Sequence, residues 1–180
     1  NSTISKNNIH NLNYTGSSTG KMVGIHTSSA TYNVIGSPSN LTISNNIIYD
    51  LKSTATSTSW NTSGISNGGG YGDRYYYNTV YLTGSLSGTG GTGGSACFAN
   101  GNGLTSTNAD VLDLRNNVFA MTGTSVAAAP LYAHYTTRTS LAGFTLNYNS
   151  LFVNATAPAV GHYGRFNSTN YTTFANWQAV

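Results

Sequence analysis

Two short stretches carry the side chains best suited to acid–base chemistry. Leu131-Tyr-Ala-His134-Tyr135-Thr-Thr-Arg138 and Val160-Gly-His162-Tyr163-Gly-Arg165 share the order His, Tyr, Arg. Stacked side by side, they would bring His134 to His162 and Tyr135 to Tyr163, with Arg138 and Arg165 nearby. Such a row can take the proton beside a uronate carboxylate while a guanidinium neutralises the acid. It also has a purely structural use, because like residues stacked on neighbouring strands stabilise a sheet. His26 occupies a similar place without a neighbouring Tyr or Arg, which favours the structural use. Two histidines without a third ligand do not make a metal centre.

Other chemistries find less support. Glycoside hydrolysis needs two carboxyl groups flanking the bond, and the chain has no Glu and only Asp50, Asp73, Asp110 and Asp113. Asp110 and Asp113 lie three apart on an expected strand and so point to opposite faces. A hydrolytic pair would have to come from different coils, and no acidic cluster suits calcium. Cys97 is the only cysteine, which leaves no internal disulfide and makes it a small buried hydrophobe. The Gly-rich runs at 68–70 and 90–94 lack the Lys and helix of a phosphate loop. No cofactor is expected. Tyr71, Tyr75, Tyr76, Tyr77 and Tyr81 could offer rings to sugar faces, or pack alternately into the sheet.

The elements that must position these residues are read from composition. Of 180 residues only 6% are charged, against about 25% in an average soluble domain. Asn (23), Ser (22), Thr (26) and Gly (21) make up about half the chain. Good helix formers are scarce, which excludes an all-α fold. Aromatics reach 12% and sit in recurring apolar clusters, unlike a disordered chain. The seven Lys and Arg residues are never adjacent, so the basic stripe of a nucleic-acid binder is missing. No apolar run approaches the roughly 20 residues of a membrane helix, and no membrane span is expected.

A repeat organises the chain. Ile4-Ser-Lys-Asn7-Asn8-Ile9, Ile43-Ser-Asn-Asn46-Ile47-Ile48, Tyr75-Tyr-Tyr-Asn78-Thr79-Val80, Leu112-Asp-Leu114-Arg-Asn116-Asn117-Val118 and Leu146-Asn-Tyr-Asn149-Ser150-Leu151 share one pattern. Aligned on Asn7, Asn46, Asn78, Asn116 and Asn149, they are 39, 32, 38 and 33 residues apart, with the fourth register open by one residue. Further apolar clusters fall between them, such as Met22-Val-Gly-Ile25, Ala96-Cys-Phe98 and Tyr32-Asn-Val-Ile35. Short strands, variable loops and a period of this size describe a solenoid. The expected fold is all-β, a right-handed parallel β-helix of about five coils. Ile43 and Ile48 are an odd number apart, so a corner must return both to the interior. The repeated Asn is expected at that corner, in the left-handed conformation it tolerates, with its side chain forming an Asn ladder from coil to coil. Open coil ends template further pairing, except where Tyr171–Val180 supplies a short amphipathic cap.

The strings Tyr77-Asn-Thr-Val-Tyr-Leu82, Ser95-Ala-Cys-Phe98, Leu114-Arg-Asn-Asn-Val-Phe119 and Thr172-Thr-Phe-Ala-Asn-Trp177-Gln178 carry a resemblance. The chain resembles right-handed parallel β-helix repeat proteins that bacteria export to the cell surface, often by type IX secretion. The resemblance implies an extracellular or cell-surface location and a parent of several modules, and it supplies no catalytic residues. Residues 1–180 are read as one β-helix domain, a segment of a longer protein or a filament subunit. The expected function is a non-catalytic structural or adhesive module that self-associates end to end or against neighbouring coils. The alternative is a polysaccharide-binding or lyase-like β-helix using His134, Tyr135, Arg138, His162, Tyr163 and Arg165 on a carbohydrate. A receptor-binding rod of a phage or fibre is a weaker third reading.

Overall fold

The computed structural model describes residues 2–16, 19–28, 33–34, 37–88, 91–101 and 111–180. Asp110, Tyr32, Ile35 and Gly90 lie outside the described residues. Three parallel sheets face one another around a continuous core, as a β-solenoid of about four turns. The first sheet stacks Ser2–Ser5, Leu41–Ser44, Asp73–Tyr76, Leu112–Arg115 and Phe144–Asn147. The second stacks Asn8–Ile9, Ile47–Tyr49, Thr79–Ser85, Val118–Thr124 and Ser150–Val153. The third stacks Met22–Thr27, Trp60–Asn67, Gly94–Asn100, Pro130–Thr136 and Val160–Phe166. Five expected coils thus appear as five rungs joined by about four turns. Short pairs between Leu12–Tyr14 and Leu51–Ser53, and between Asn33–Val34 and Ser37–Pro38, lie outside these sheets.

The registers align apolar residues from rung to rung. Ile4, Ile43, Tyr75, Leu114 and Leu146 form one inward row. Ile9, Ile48, Val80, Phe119 and Leu151 form the facing row across the corner. Ile43, Tyr75, Val80 and Leu114 are fully buried. Each fully buried aliphatic side chain contributes roughly 1.5–3 kcal/mol, and the rows repeat that contribution at every turn.

The corner differs from expectation in one respect. The left-handed residues are Lys6, Asn45, Tyr77, Asn116 and Tyr148, with φ between 55° and 58°. Each stands immediately before a ladder Asn rather than being one. The ladder itself runs through Asn7, Asn46, Asn78, Asn117 and Asn149. Asn116 is therefore a corner residue, and Asn117 takes the ladder position assigned to it. Each Asn Oδ1 from Asn46 onward accepts the backbone N–H and the Nδ2–H of the preceding rung's Asn, at 2.9–3.2 Å. Each Nδ2 from Asn46 to Asn149 also donates to a carbonyl of the preceding rung, those of Ile4, Ile43, Tyr75 and Leu114. An inner ladder amide such as Asn78 fills both of its donors and both acceptor sites, which is the condition for burying it without penalty.

A second polar ladder runs along the far edge of the third sheet. Thr136 Oγ1 donates to Asn100 Oδ1 (3.0 Å), and Asn100 Nδ2 donates to Asn67 Oδ1 (2.9 Å). Asn67 Nδ2 reaches the Tyr75 hydroxyl at 2.7 Å, which also meets Thr27 Oγ1 at 2.9 Å. Tyr75 is thus wholly interior and leaves the set of rings that could face a sugar, while Tyr77 and Tyr81 stay exposed.

Asn117→Ala strands the Asn78 amide donors and uncovers the Tyr75 carbonyl, so it is expected to cost at least ~2 kcal/mol. Asn116→Gly supplies the same left-handed backbone without a side-chain role and is expected to stay within about 1 kcal/mol of the parent. Urea unfolding of both variants checks this; equal losses would dissolve the distinction between ladder and corner.

Candidate functional site

The third sheet carries the His, Tyr and Arg residues, and its register decides which of them meet. Its pairing links Val23 to Ser63 and Ile25 to Ile65, then Ser63 to Ala96 and Ile65 to Phe98. It continues from Ala96 to Tyr132 and from Phe98 to His134. Every pairing passes over the intervening position, held by Gly24, Gly64, Cys97 and Ala133. There two successive residues turn inward. Cys97 and Phe98 both belong to the main core, as do Leu131 and Ala133, whereas Ala96, Ala99 and Tyr132 pack in a separate cluster with Trp60. A Cβ on Gly64 would lie 2.2 Å from Val80 Cγ1, so the first of the two inward positions admits only small side chains.

This kink places His134 inside the solenoid. Its ring stacks on Phe98 with centroids 5.5 Å apart and lies 5.6 Å from Phe144 and 5.3 Å from Trp177. Neither ring nitrogen has a hydrogen-bond partner among the described residues, and the residue is 1% exposed. Burial holds its pKa down at about 3, so it is a neutral ring at any ordinary pH. An imidazole so weakly basic is ill suited to the expected role of proton acceptor.

The other expected partners are likewise redistributed. His134 faces Gly164, His162 faces Tyr132, and Tyr135 faces Arg165. His162 stacks on Tyr132 at 5.1 Å, and burial, aided by the Arg165 charge, lowers its pKa. Tyr163 packs against Phe174 at 5.8 Å. Arg138 is buried, its Nε on the Ser140 carbonyl (3.0 Å), its Nη2 on the Ala142 carbonyl (2.6 Å) and its guanidinium over Phe144. Tyr135 meets Arg165 one rung on, with Arg165 in the place expected of Tyr163. The Arg165 guanidinium carbon sits 5.6 Å from the Tyr135 ring centroid.

The Tyr135–Arg165 pair opens into a cleft of about 190 Å³ walled by Trp60 and Tyr132. Sequence reading passed over Trp60, whose indole N–H is held by Ser63 Oγ at 2.6 Å. Its ring lies 4.6 Å from Tyr135 and parallel to Tyr132 at 6.4 Å. Gly94 lies between those two rings, with Cβ space of 3.1–3.2 Å to each. Isolated aromatic residues at strand starts gave no periodic signal that could have joined them.

Each described carboxylate has its own partners. Asp50 pairs with Lys52 at 2.8 Å and Asp113 with Arg115 at 2.6 Å, while Asp113 also accepts the Tyr76 hydroxyl. Asp73 is fully buried, accepting Ser39 Oγ (2.5 Å) and the Leu41 N–H (3.0 Å). Burial raises its pKa against those hydrogen bonds. Burial also pushes the Cys97 thiol up. Among the described residues no group of three His, Cys, Asp or Glu side chains could hold a metal ion.

At the far end of the bore, Thr169–Tyr171 turns back antiparallel on Val160–Phe166, and the helix Phe174–Gln178 follows. Trp177 lies over Gly164, where a Cβ would come within 2.3 Å of its ring. Between this cap and the last rung is a cavity of about 490 Å³, bounded by Phe119, His134, Leu146 and Leu151 below and Phe174 and Trp177 above. No protein-family model, curated protein or solved structure matches the chain.

His134 titrates near 3 when folded and near 6.5 when unfolded. The unfolded chain therefore takes up the extra proton between those values. The contribution is complete above about pH 6.5 and falls by up to ~1.4 kcal/mol per pH unit as the pH drops toward 3. His134→Phe keeps a ring on Phe98 and removes this dependence, so its stability advantage over the parent is expected to grow from pH 7.5 to 5. Urea midpoints across that range check the slope; a pH-independent difference would show that His134 is not the buried titrating group.

Proposed function

We propose that the chain is a non-catalytic structural or adhesive β-helix module, extracellular or at the cell surface of a bacterium, that builds a longer solenoid by stacking coil on coil. The observation that carries this reading is the first rung of the Asn ladder. Asn7 Oδ1 receives no hydrogen bond from a described residue, although every later Oδ1 in the ladder receives two. Beside it Ile4 and Ile9 stand half-buried at the head of rows that are sealed at the second, third and fourth rungs and half-buried again at Leu146 and Leu151. A further coil carrying an Asn and two aliphatic residues would complete both. Parallel strands add with little distortion, since each rung already repeats its neighbour's register.

The two ends are not equivalent. Asn149 also leaves its backbone N–H without a partner among the described residues, but the helix Phe174–Gln178 roofs that rung. Stacking is therefore expected on the Asn7 face, against a coil of a neighbouring copy. The secreted character follows the resemblance of the core strings, and the sparse charge suits a surface stabilised by hydrogen-bonded amides and hydroxyls instead of ion pairs.

Sedimentation across a wide concentration range tests the stacking. The chain is expected to associate reversibly, and Ile4→Lys is expected to abolish association with the melting profile of the remaining coils retained. A chain that stays monomeric at millimolar concentration would overturn stacking, and turnover of any polysaccharide would overturn the non-catalytic assignment.

A further inference from the structure

We propose that the side cleft formed by Trp60, Tyr132, Tyr135 and Arg165 is a binding site for one acidic sugar residue, with the sugar carboxylate on the Arg165 guanidinium. The site lies on the flank of the third sheet, away from the rungs used in stacking, so it stands independently of the scaffold reading.

The charge inventory of the described residues points to an anion. Lys52 and Arg115 have carboxylate partners, Arg138 is spent on two carbonyls and a ring, and Lys6, Lys21 and Arg74 are exposed to solvent. Arg165 is half-buried with no carboxylate within 4.0 Å among the described residues. It rests over the Tyr135 ring, and no hydrogen bond from its N–H groups to a described residue is present. A guanidinium held in this way is a fork for a planar carboxylate. Its charge is felt locally, since it opposes the rise that burial imposes on the Tyr135 hydroxyl and helps to lower His162.

The rest of the lining points to a sugar. Around Arg165 the cleft presents the half-buried Tyr135 ring and the hydroxyl-bearing Ser59 and Thr92, backed by the buried Trp60 and Tyr132. Apolar ring surface takes the C–H groups of a pyranose, and hydroxyls and peptide groups take its oxygens. The volume of about 190 Å³ is below the roughly 300 Å³ at which pockets enclose a drug-sized molecule, so the cleft takes a single residue of a polymer that continues past it. The walls are preformed. Trp60 is anchored through Ser63, its ring and that of Tyr132 are parallel, and Gly94 keeps the strand between them thin enough for both. Little ordering is needed on binding, which favours affinity from few contacts.

Titration with galacturonate oligomers, read by tryptophan fluorescence and by NMR of the full chain, tests the proposal. Binding with a dissociation constant in the millimolar range or tighter is expected, weakened by salt. Neutral galactose oligomers are expected to bind at least tenfold more weakly, and inorganic sulfate alone to leave the Trp60 signal unmoved. Arg165→Gln should reduce uronate affinity at least tenfold, while Arg165→Lys should recover part of it by restoring charge without the fork. Melting curves matching the parent establish that both variants are folded. Absence of uronate binding, equal binding of neutral and acidic oligomers, a sulfate response equal to the uronate response, or unchanged binding in folded Arg165→Gln would each overturn the proposal. Loss of self-association with binding intact would fail only the stacking reading.

Discussion

Everything in this fold hangs on what a β-solenoid does with its corners. Sheet strands satisfy their peptide groups through the ladder, but a chain that turns sharply between two sheets leaves amides without a strand partner. Here a left-handed residue makes the turn, and the Asn after it repairs the pairing. Its carboxamide substitutes for a strand, accepting two N–H groups from one neighbour and donating to the next Asn and to a carbonyl. The residue making the turn varies freely among Lys, Asn and Tyr, because only its backbone is used. The residue repairing it does not vary, because Asn alone combines two donors, two acceptor sites and the right reach.

The third sheet solves the same closure problem differently, and this decides the fate of the histidines. Its strands kink at a small residue so that two successive side chains face the bore. With Gly24, Gly64, Cys97 and Ala133 at the first position, the second must fill the space left, and Ile25, Ile65, Phe98 and His134 do so in turn. At the last rung the position falls to Gly164, and the gap is taken by Trp177 from the capping helix. His134 is thus a flat ring chosen to fit between Phe98 and Trp177. The cost of an unpartnered imidazole is moderated by its giving up its charge.

The architecture was legible in the sequence because its core is periodic in chain position: Ile4, Ile43, Tyr75, Leu114 and Leu146 recur at nearly constant offsets from their corners. What escaped was whatever depends on a single residue of register. Asn116 and Asn117 are chemically identical, and only the alternation of intervals, 39 and 32 residues taken twice through Asn117, separates them. The His row failed for a related reason. Aligning His134 with His162 by type assumes equal spacing from the coil start, but the loop leading into the last strand is two residues shorter, three residues between Thr156 and Val160 against five between Thr124 and Pro130, and shifts that strand by two. The cleft was less legible still, because Trp60, Tyr132 and Arg165 come from three different rungs and only stacking makes them neighbours.

The low charge of the chain follows from the same stacking. In a parallel, in-register solenoid, equivalent residues lie directly above one another, about 4.8 Å apart. A row of like charges at that spacing repels along its length, whereas amides and hydroxyls hydrogen-bond to copies of themselves. The Asn row, the Thr27–Asn67–Asn100–Thr136 row and the Ser87–Ser125 pair all use like-on-like attraction. Where charges do occur in a strand, the register gives them neutral or opposite neighbours: Arg74 lies between Thr42 and Asp113, and Lys52 beside Asn13. Arg165 fits this rule on one side through Tyr135. On its other side the antiparallel return strand offers Asn170, a neutral partner, so the fold tolerates the cation without neutralising it. A charge that the stacking logic neither requires nor compensates is the place on this surface where an outside anion has most to gain.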